Sequence, residues 1–397
     1  MFEEVDKLIS FREHPPLKIL IVGAGIAGLT AAYWLHQYGF DVDIIEKVES
    51  FGNQKGYVID FWGPGFAVLE KMDLVKTLHA KNHALKEFIF VDEAGNQDAR
   101  FSIPKFRQLH NQRVFTLLRG DLDAALRDCI SSYVPIHAGI VIDSIDNTND
   151  TVLVHFSNRT EGRYDVVIGA DGIHSRTRAL VFGDESHFSH YLGYQLAAAI
   201  LPNNADIHDA LYTYSATGKQ VAVCPIDKHQ LATYFVYRSP EKDLLDAKQN
   251  LQMAFKNEAW VIPRIFESIA KTDAIFFDTL TQIEMPTWHK NRVVLLGDAC
   301  QCLTLMGGQG ASMAMAGAYV LSTVLNQHNN NIQNAFLCYE SIMQPEIKQK
   351  QAIARRFLNT FIPTQKIDNA SRNFFTRQFF KNMYFASTVD EYCRIVF

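Results

Sequence analysis

The sequence predicts an α/β protein in which an antiparallel sheet is inserted into a parallel-sheet domain, with helices at the carboxy terminus. Three observations support this fold class. A G-x-G-x-x-G turn at 23–28 joins a buried strand to a helix. Short apolar strands end at acidic residues, as at 166–170 and 292–296. From about 188 to 239 apolar and polar residues alternate over long stretches, which is typical of antiparallel strands.

Length and composition limit the class of protein. A chain of 397 residues exceeds the size at which one core stops growing, so we expect two domains. A net charge of −5, with no concentrated basic face before residue 345, argues against nucleic acid as a partner. The acidic amino terminus lacks the apolar core of a signal peptide. Six scattered cysteines have no metal-ligand spacing, which predicts free thiols and no metal site. We therefore expect a cytoplasmic, monomeric enzyme without stable membrane association.

The amino-terminal glycines have the spacing of a dinucleotide site. The apolar run 19–22 predicts a buried parallel strand, and the helix follows at once. Gly23 permits the tight turn, Gly25 lets the backbone approach a pyrophosphate, and Gly28 lets the helix pack close to the strand. A helix is predicted from Leu29 to Tyr38, and the N–H groups at its N-terminus attract phosphate. Ile26 and Ala27, between Gly25 and Gly28, are assigned to the same site. A glycine-rich turn in a core is the alternative reading.

The next strand, at 42–45, ends in a second part of the same predicted site. Glu46 lies roughly twenty residues after Gly28, where a carboxylate accepts hydrogen bonds from an adenosine ribose. We assign Glu46 and the adjacent Lys47 to the dinucleotide site. The apolar stretch 17–35 is long enough to suggest a membrane span, but Lys18 and the three glycines favour a core.

The remaining elements are predicted in chain order. A strand at 57–61 and a helix at 65–72 precede a hairpin of 87–91 with 99–103, and Asp121 is placed to cap a helix at 122–129. Strands at 136–142 and 151–156 pair around an Asn/Asp turn. The inserted sheet, rich in aromatic residues, has strands at 211–215, 220–224 and 231–237, and residues 275–285 lead back to the first domain.

The carboxy-terminal region is predicted to be helical. A polar linker, Gln327 to Asn334, precedes a helix at 335–360 that Pro345 interrupts. A second helix, at 366–386, is rich in Phe, Tyr, Lys and Arg.

Three further segments narrow the type of dinucleotide. They are Arg119 ahead of Asp121, the string Asp171-Gly-Ile-His-Ser-Arg-Thr-Arg, and Gly297-Asp298-Ala299 followed by Gly307-Gly308-Gln309-Gly310. Together with the amino-terminal glycines, in the same order, they resemble the class A FAD-dependent monooxygenases, the family of para-hydroxybenzoate hydroxylase. The resemblance covers roughly residues 17–325.

The resemblance implies a domain arrangement. We expect a discontinuous Rossmann-like FAD-binding domain of residues 17–75, 105–185 and 278–330. The inserted substrate domain would comprise 76–104 and 186–277, and the carboxy-terminal helices 331–397.

The resemblance also implies roles for particular residues. Arg119 would lie along the ribityl and pyrophosphate groups of FAD, and Asp171 would contribute to both FAD and NADPH binding. Asp298 would accept hydrogen bonds from ribityl hydroxyls, which suits a carboxylate after a buried strand. The helix N-terminus at Gly308 and Gly310 would meet the pyrimidine end of the flavin and favour negative charge there on reduction. For Arg119, Asp171 and Asp298 the structural alternatives are a surface ion pair, a turn and a helix cap.

Two further residues come from the resemblance, and two positions depart from it. Asp60 matches the family's aspartate in the strand after the first loop, and Lys55 is the nearest candidate for a basic residue that is displaced here. Gln301 and Leu305 stand where many members have histidine and proline beside the flavin. We expect FAD binding to survive these changes, because it rests on Asp298 and the glycines.

Within the family the chain looks most like the tetracycline destructases. Its matching features are 55–60, 119–122, the Asp171 string and an additional carboxy-terminal helix. The implied reaction uses NADPH to reduce FAD. O2 then adds at C4a, and the hydroperoxide delivers oxygen to a polycyclic aromatic or phenolic substrate, most plausibly a tetracycline. The alternatives are a hydroxylase of another polyketide or aromatic compound, a flavin reductase without oxygen transfer, and a flavin protein that sequesters a planar ligand. The flavin carries the chemistry, so no side chain is assigned as catalytic.

The substrate wall is expected on the aromatic sheet. We assign to it Tyr194, Tyr212, Tyr214, Phe235 and Tyr237. Phe375 joins them by resemblance, because the extra helix of tetracycline destructases borders the substrate entrance. A plain sheet core, and a last helix that packs only for stability, are the alternatives.

Overall fold

The structure is a computed structural model that describes residues 16–51, 57–240, 242, 244–304, 308–328 and 331–362. Lys55, Leu305, Phe375, the amino-terminal leader and the predicted helix 366–386 lie outside the described residues. The expectations about them therefore stay predictions.

Helices are interspersed among strands along the described chain. The first third contains β1 (Lys18–Val22), α1 (Ile26–Gln37), β2 (Asp41–Glu46), β3 (Val58–Trp62), α2 (Pro64–Lys71), α3 (Val75–His79), β4 (Glu87–Val91), β5 (Gln97–Ser102), α4 (Ile103–Leu109), β6 (Val114–Leu118) and α5 (Arg119–Ile130). Next come β7 (Ile136–Ala138), β8 (Ile142–Asn147), β9 (Val152–Phe156), β10 (Glu161–Tyr164), β11 (Val166–Gly169), α6 (Arg176–Phe182), β12 (Ser189–Pro202), β13 (Ala210–Ala216), β14 (Lys219–Pro225) and β15 (Gln230–Arg238). The rest comprises α7 (Ala247–Phe255), α8 (Ile262–Ile269), β16 (Ile275–Ile283), β17 (His289–Lys290), β18 (Val293–Leu295), α9 (Asp298–Gln301), α10 (Gly310–Gln327) and α11 (Ile332–Phe361).

The parallel sheet is the layer around which the first domain packs. Its order is β17-β18-β11-β1-β2-β7, and β1 pairs in parallel with β2 and β11. Residues 19–22 of β1 are buried on both faces, as expected of a central parallel strand. Helices α1 and α10 cover one face within a core that includes Leu29, Leu35 and Leu321. The predicted α/β fold class is confirmed.

The second large sheet has the order β16-β12-β15-β14-β13-β4-β5. All its neighbours are antiparallel except β13 and β4, which pair in parallel from distant parts of the chain. The predicted hairpin at 87–103 thus forms one edge of the aromatic sheet. One face of this sheet packs on α7 and α8 around Leu251, Phe255 and Ile265. The domain boundaries themselves stay a prediction.

Three local predictions are corrected by the structure. The segment 136–142 does not pair with 151–156, because β7 joins the parallel sheet beside β2 and β8 is the strand that pairs with β9. Asp121 lies in the first turn of α5 and is not its N-cap, because the helix begins two residues earlier, after Leu118. Pro345 does not interrupt α11, which continues to Phe361. A helix can continue through proline at the loss of one backbone hydrogen bond.

Candidate active site

In the glycine turn between β1 and α1, a side chain would have space at Gly25 but would clash with the backbone at Gly23 and Gly28. Gly23 has φ +105°, and a Cβ there would lie 2.5 Å from the carbonyl oxygen of Ala170. A Cβ on Gly28 would lie 2.0 Å from the carbonyl oxygen of Gly23, so the helix packs against the turn as predicted for this motif. At Gly25 the nearest atom would be Nη2 of Arg119, 4.0 Å away. The turn therefore leaves space beside Gly25, where the uncapped N-terminus of α1 begins.

Glu46 is held against this turn by the backbone. Its carboxylate accepts hydrogen bonds from the N–H groups of Ala24, at 2.8 Å, and Val48, at 3.0 Å. The end of β2 is thereby fixed beside the glycines, where the ribose assignment requires it. The neighbouring Lys47 is exposed. The roles of both residues stay predictions.

Arg119 and Asp298 approach the open position from two other elements. Arg119 is the first residue of α5; its N–H donates to the carbonyl of Tyr57 at 2.8 Å, and its guanidinium lies 3.8 Å from Asp123. Asp298 begins α9 and opens to the same cleft. Asp298 is exposed to the open cleft, but the protein walls around it keep bulk water away and raise the pKa of its carboxyl, while the positive charge of Arg119 lowers that pKa.

Gly308 and Gly310 form a second open turn at the start of α10. Apart from their chain neighbours and the backbone of α10, no atom of the described residues lies within 4 Å of a Cβ built on either glycine, so both face open space. Gln309, between them, is buried and points away from the cleft toward α11, where its side chain accepts a hydrogen bond from Lys350. The N-terminus of α10 has no side-chain cap, so its N–H groups remain available to a ligand.

Several of these positions line one cleft with a cavity volume of about 370 Å³, whereas Gly23, Gly28, Glu46 and Lys47 are not part of its lining. Residues of the FAD assignment that line it are Gly25, Ile26, Ala27, Asp60, Arg119, Asp298, Gly308 and Gly310. The opposite wall comes from the aromatic sheet, through residues such as Leu196, Leu211, Val236 and Leu280. The cleft thus lies between the carboxyl ends of the parallel strands and one face of the second sheet, where ligands of open α/β sheets bind.

Asp60 lines the cleft from β3. Its carboxylate accepts a hydrogen bond of 2.7 Å from the hydroxyl of Thr116, its partner across the β3–β6 ladder. The surrounding protein raises the pKa of this carboxyl, and the hydrogen bond from Thr116 lowers it. The hydrogen bond from Thr116 therefore orients the side chain of Asp60. Its contact with a cofactor stays a prediction.

The Asp171 string forms a turn that supports the cleft. The carboxylate of Asp171 accepts hydrogen bonds from Ser175 and from the N–H, at 2.9 Å, and the hydroxyl, at 3.0 Å, of Thr177. The Asp171 carboxylate therefore holds a turn together, which is the structural alternative to a role in cofactor binding. Arg178, fully buried, donates to the carbonyl of Ala299 at 2.8 Å and ties this turn to α9.

Three aromatic side chains line the cleft on the side of the second sheet. The ring centroid of Tyr57 lies 6.3 Å from that of Tyr234 and 5.8 Å from that of Phe276. The hydroxyl of Tyr234 donates to the carbonyl of Val58, which fixes the ring. Phe276 is 46 % exposed, so its ring is available to a ligand at the edge of the cleft. None of the three is among the residues assigned to the substrate wall from the sequence, although Tyr234 belongs to the aromatic sheet predicted to form it.

The aromatic residues predicted for the substrate wall lie elsewhere. Tyr214, Phe235 and Tyr237 are buried on the opposite face of the sheet, where Phe235 packs against Phe255 at 5.2 Å between ring centroids. The physical reason is the alternation of side chains along a strand. In β15, Tyr234 and Val236 face the cleft, so their neighbours face α7 and α8.

The other two predicted wall residues are also outside the cleft lining. Tyr212 packs against Trp260, with 6.2 Å between ring centroids. Tyr194 packs with Leu196 against Leu358 and Ile362, at the end of α11. None of the five is in the cleft lining: Tyr212, Tyr214, Phe235 and Tyr237 pack on the face of the sheet that meets α7 and α8, whereas Tyr194 packs in the cluster of Leu196 and Val236. Their contact with a substrate stays a prediction.

Two absences concern the part of the chain that the structure describes. No group of three or more His, Cys, Asp or Glu residues there could hold a metal ion. No helix there combines the length and apolar character needed to cross a membrane.

Comparisons with known proteins agree with this geometry. The family described as "FAD binding domain" matches residues 16–345. A flavin-dependent monooxygenase of an unknown prokaryotic organism is 30 % identical over 359 residues, covering 88 % of this chain and 91 % of the relative. Another, from Legionella longbeachae serogroup 1 (strain NSW150), is 30 % identical over 341 residues, covering 84 % and 87 %.

Among solved structures, tetracycline destructase Tet(55) is similar with a TM-score of 0.82 and 28 % identity, covering 94 % of this chain and 97 % of that one. Tetracycline destructase Tet(51) is similar with a TM-score of 0.80 and 27 % identity, covering 95 % and 98 %.

Proposed function

The chain belongs to the FAD-binding family of flavin-dependent monooxygenases, and from that premise we propose that it uses NADPH and O2 to oxidise a polycyclic aromatic or phenolic substrate. A tetracycline is the proposed substrate. What carries the proposal is that one cleft presents the predicted FAD residues on one wall and Tyr57, Tyr234 and Phe276 on the other. A planar substrate in this cleft would contact aromatic rings and lie beside the cofactor.

The residues present fit FAD. Gly25, Gly308 and Gly310 leave open space where a side chain would otherwise stand, and each adjoins a helix N-terminus. The N–H groups of α1 would bind the pyrophosphate, and Arg119 would add a positive charge beside it. Asp298 would accept hydrogen bonds from the ribityl hydroxyls. When bound here, FAD supplies the redox chemistry that makes O2 reactive toward an organic substrate.

The other wall would orient the substrate and exclude water. Tyr57, Tyr234 and Phe276 present ring faces and edges to the cleft, and aliphatic side chains such as Leu196 and Leu280 surround them. Water exclusion matters because a reactive oxygen donor is lost to hydrolysis or peroxide release in a wet site. No side chain is required as a nucleophile.

The similarity to two tetracycline destructases supports the proposed substrate, because this chain shares 27 % and 28 % sequence identity with them over almost the whole length of each. NADPH as reductant, a monomeric state and a cytoplasmic location remain part of the proposal. The free thiols of Cys129, Cys224, Cys300, Cys302 and Cys338 are compatible with a reducing compartment.

The test is mass spectrometry of tetracycline incubated with the FAD-loaded protein, NADPH and ¹⁸O2. We expect a product that contains one oxygen atom derived from O2, and no product with a Gly25→Val variant as control. NADPH consumption with peroxide release and no product would instead indicate a flavin reductase. Product from other polyketide phenols, but none from tetracycline, would leave a monooxygenase with a different substrate. Binding of tetracycline without NADPH oxidation would indicate a binding protein.

A further inference from the structure

Lys350 is a buried cation on a helix that the assigned FAD site does not include. It lies in α11 and is only 4 % exposed. Lysine is almost never buried to this extent unless its ammonium group has a specific partner, because removing the charge from water is costly. Its position therefore requires an explanation.

The ammonium group points to the start of α10. Nζ of Lys350 donates a hydrogen bond of 2.7 Å to Oε1 of Gln309. Gln309 is the residue between Gly308 and Gly310, both of which line the cleft. Because a lysine ammonium can only donate, it fixes which end of the Gln309 amide faces α11. The other end, Nε2, is buried and has no hydrogen-bond partner among the described residues.

This contact has two effects on the turn at 308–310. It holds the side chain of Gln309 away from the cleft, so that the glycine backbone on either side faces the open space. It also places the ammonium group of Lys350 behind the N-terminus of α10, which itself carries about half a positive charge from the helix dipole. Both charges have the same sign, so an anion at this end of the cleft is stabilised by each.

We propose that Lys350 is a positioning residue that fixes the turn at 308–310 and makes FAD bound in the cleft easier to reduce. The inference rests on the proposed placement of the pyrimidine end of the flavin at this turn. Reduction adds negative charge to that end, so a fixed cation one side chain away favours the reduced cofactor over the oxidised one. Removing the cation should therefore lower the reduction potential.

The experiment compares three variants with the full-length FAD-loaded protein. Lys350→Met removes the charge and the hydrogen bond but keeps an unbranched apolar side chain, while Lys350→Gln removes the charge and keeps a donor for Gln309. Lys348→Met is the matched control, because Lys348 is exposed on the same helix and loses the same charge. The midpoint potential is measured by anaerobic dye equilibration, the FAD dissociation constant by titration of the apoprotein, and stability by thermal unfolding of the apoprotein.

We expect both Lys350 variants to lose at least a ten-fold preference for reduced over oxidised flavin, which is about 30 mV for a two-electron couple. Lys350→Met should also bind FAD more weakly than Lys350→Gln, and Lys348→Met should match the parent protein in every measurement. An unchanged potential in both Lys350 variants would overturn the proposal, and so would an equal shift in Lys348→Met. If neither Lys350 variant folds while Lys348→Met does, Lys350 belongs to the core alone and the proposal is also wrong. These measurements use neither oxygen nor substrate, so they are independent of the proposed reaction.

Discussion

The guanidinium of Arg178 donates a hydrogen bond of 2.8 Å to the carbonyl of Ala299, the residue that follows Asp298. The same side chain donates to the carbonyl of Ile173 at 2.7 Å and pairs with Glu185 at 3.0 Å. One buried side chain therefore links the turn after β11 to the residue expected to hold the ribityl chain of FAD.

Arg178→Met should destabilise the protein by about 3 kcal/mol, because it leaves the buried carbonyl of Ala299 without its donor and breaks the bonds to Ile173 and Glu185. The free energy of unfolding in urea measures this. Arg176→Met is the control on the same helix; its side chain is 55 % exposed, so we expect a change below about 1 kcal/mol. Equal effects of the two substitutions would contradict the structural role of Arg178.

Gly25→Val should abolish FAD binding without unfolding the apoprotein. The new side chain would enter the open space beside the turn, where the nearest atom to its Cβ is 4.0 Å away. Because valine is a poorer N-cap residue than glycine, the apoprotein should lose about 1 kcal/mol, which is too little to unfold it. Gly28→Val provides the contrast, since its Cβ would lie 2.0 Å from a carbonyl oxygen and the fold itself should fail. Flavin fluorescence and thermal unfolding report the two effects, and FAD retention by Gly25→Val would refute the assignment.

Asp298→Asn should stabilise the apoprotein at neutral pH while weakening FAD binding. The surrounding protein raises the pKa of Asp298, so the folded state binds this proton more tightly than the unfolded chain does. Stability contributed by the group therefore falls as pH rises from its ordinary pKa through its raised pKa. The advantage of the variant should vanish below about pH 3, where the carboxyl is largely neutral in both the folded and the unfolded state.

Asp92→Asn is a control of opposite sign for that experiment. Hydrogen bonds from Asn96 lower the pKa of Asp92, so its ionised form stabilises the folded state above the ordinary pKa and this contribution is lost in acid. Asp92→Asn should therefore destabilise the protein at neutral pH. Urea unfolding across the pH range tests both variants, and a stability gain of Asp298→Asn that persisted in acid would be inconsistent with this account.

Phe276→Ala should raise the KM for substrate and increase peroxide release with little change in stability, because the ring lies at the edge of the cleft and is half exposed. Phe235→Ala should instead cost about 3–5 kcal/mol of stability, since that ring is buried on the other face. Steady-state kinetics and thermal unfolding separate the two positions. A large stability loss with unchanged KM for Phe276→Ala would reverse the assignment of the two faces.

A chain that ends after Thr364 tests the predicted last helix. The end of α11 packs through Leu358 and Ile362 on Leu196 and Leu280, which also line the cleft. The described part of the chain therefore ends close to the cleft wall, and we expect removal of the segment that follows to raise KM or peroxide release while FAD stays bound. Loss of thermal stability alone, with KM and peroxide release unchanged, would favour a helix that serves only packing.

The sequence was sufficient for β1, α1 and β2 because their constraints are local. The glycines at 23 and 28 are dictated by contacts within a few residues or with the next strand, and the spacing to Glu46 is a property of one βαβ unit. Asp298, Gly308 and Gly310 could be assigned to the same site through the family resemblance, because their motif follows a buried strand and begins a helix.

The sequence does not predict which face of a strand is covered or which strand it pairs with, because these depend on residues far away along the chain. The alternation in β15 defines two faces, but only the packing of α7 and α8 decides that Phe235 is covered and Tyr234 faces the cleft. Strand β7 was assigned to the wrong partner because its true neighbour, β2, lies about 90 residues earlier. The sequence does not predict that Lys350 is buried, because its burial depends on the packing of α11 against Gln309.

The order of strands in the parallel sheet also determines when the protein can first hold its cofactor during synthesis. Strand β18 completes the sheet beside β11, and Asp298 and Gly310 follow it in the chain. A growing polypeptide therefore carries the glycine turn long before it carries the residues at the other end of the FAD site. If the predicted FAD residues hold the cofactor, we expect the apo form to approach its complete fold by its own packing before the full site can bind FAD.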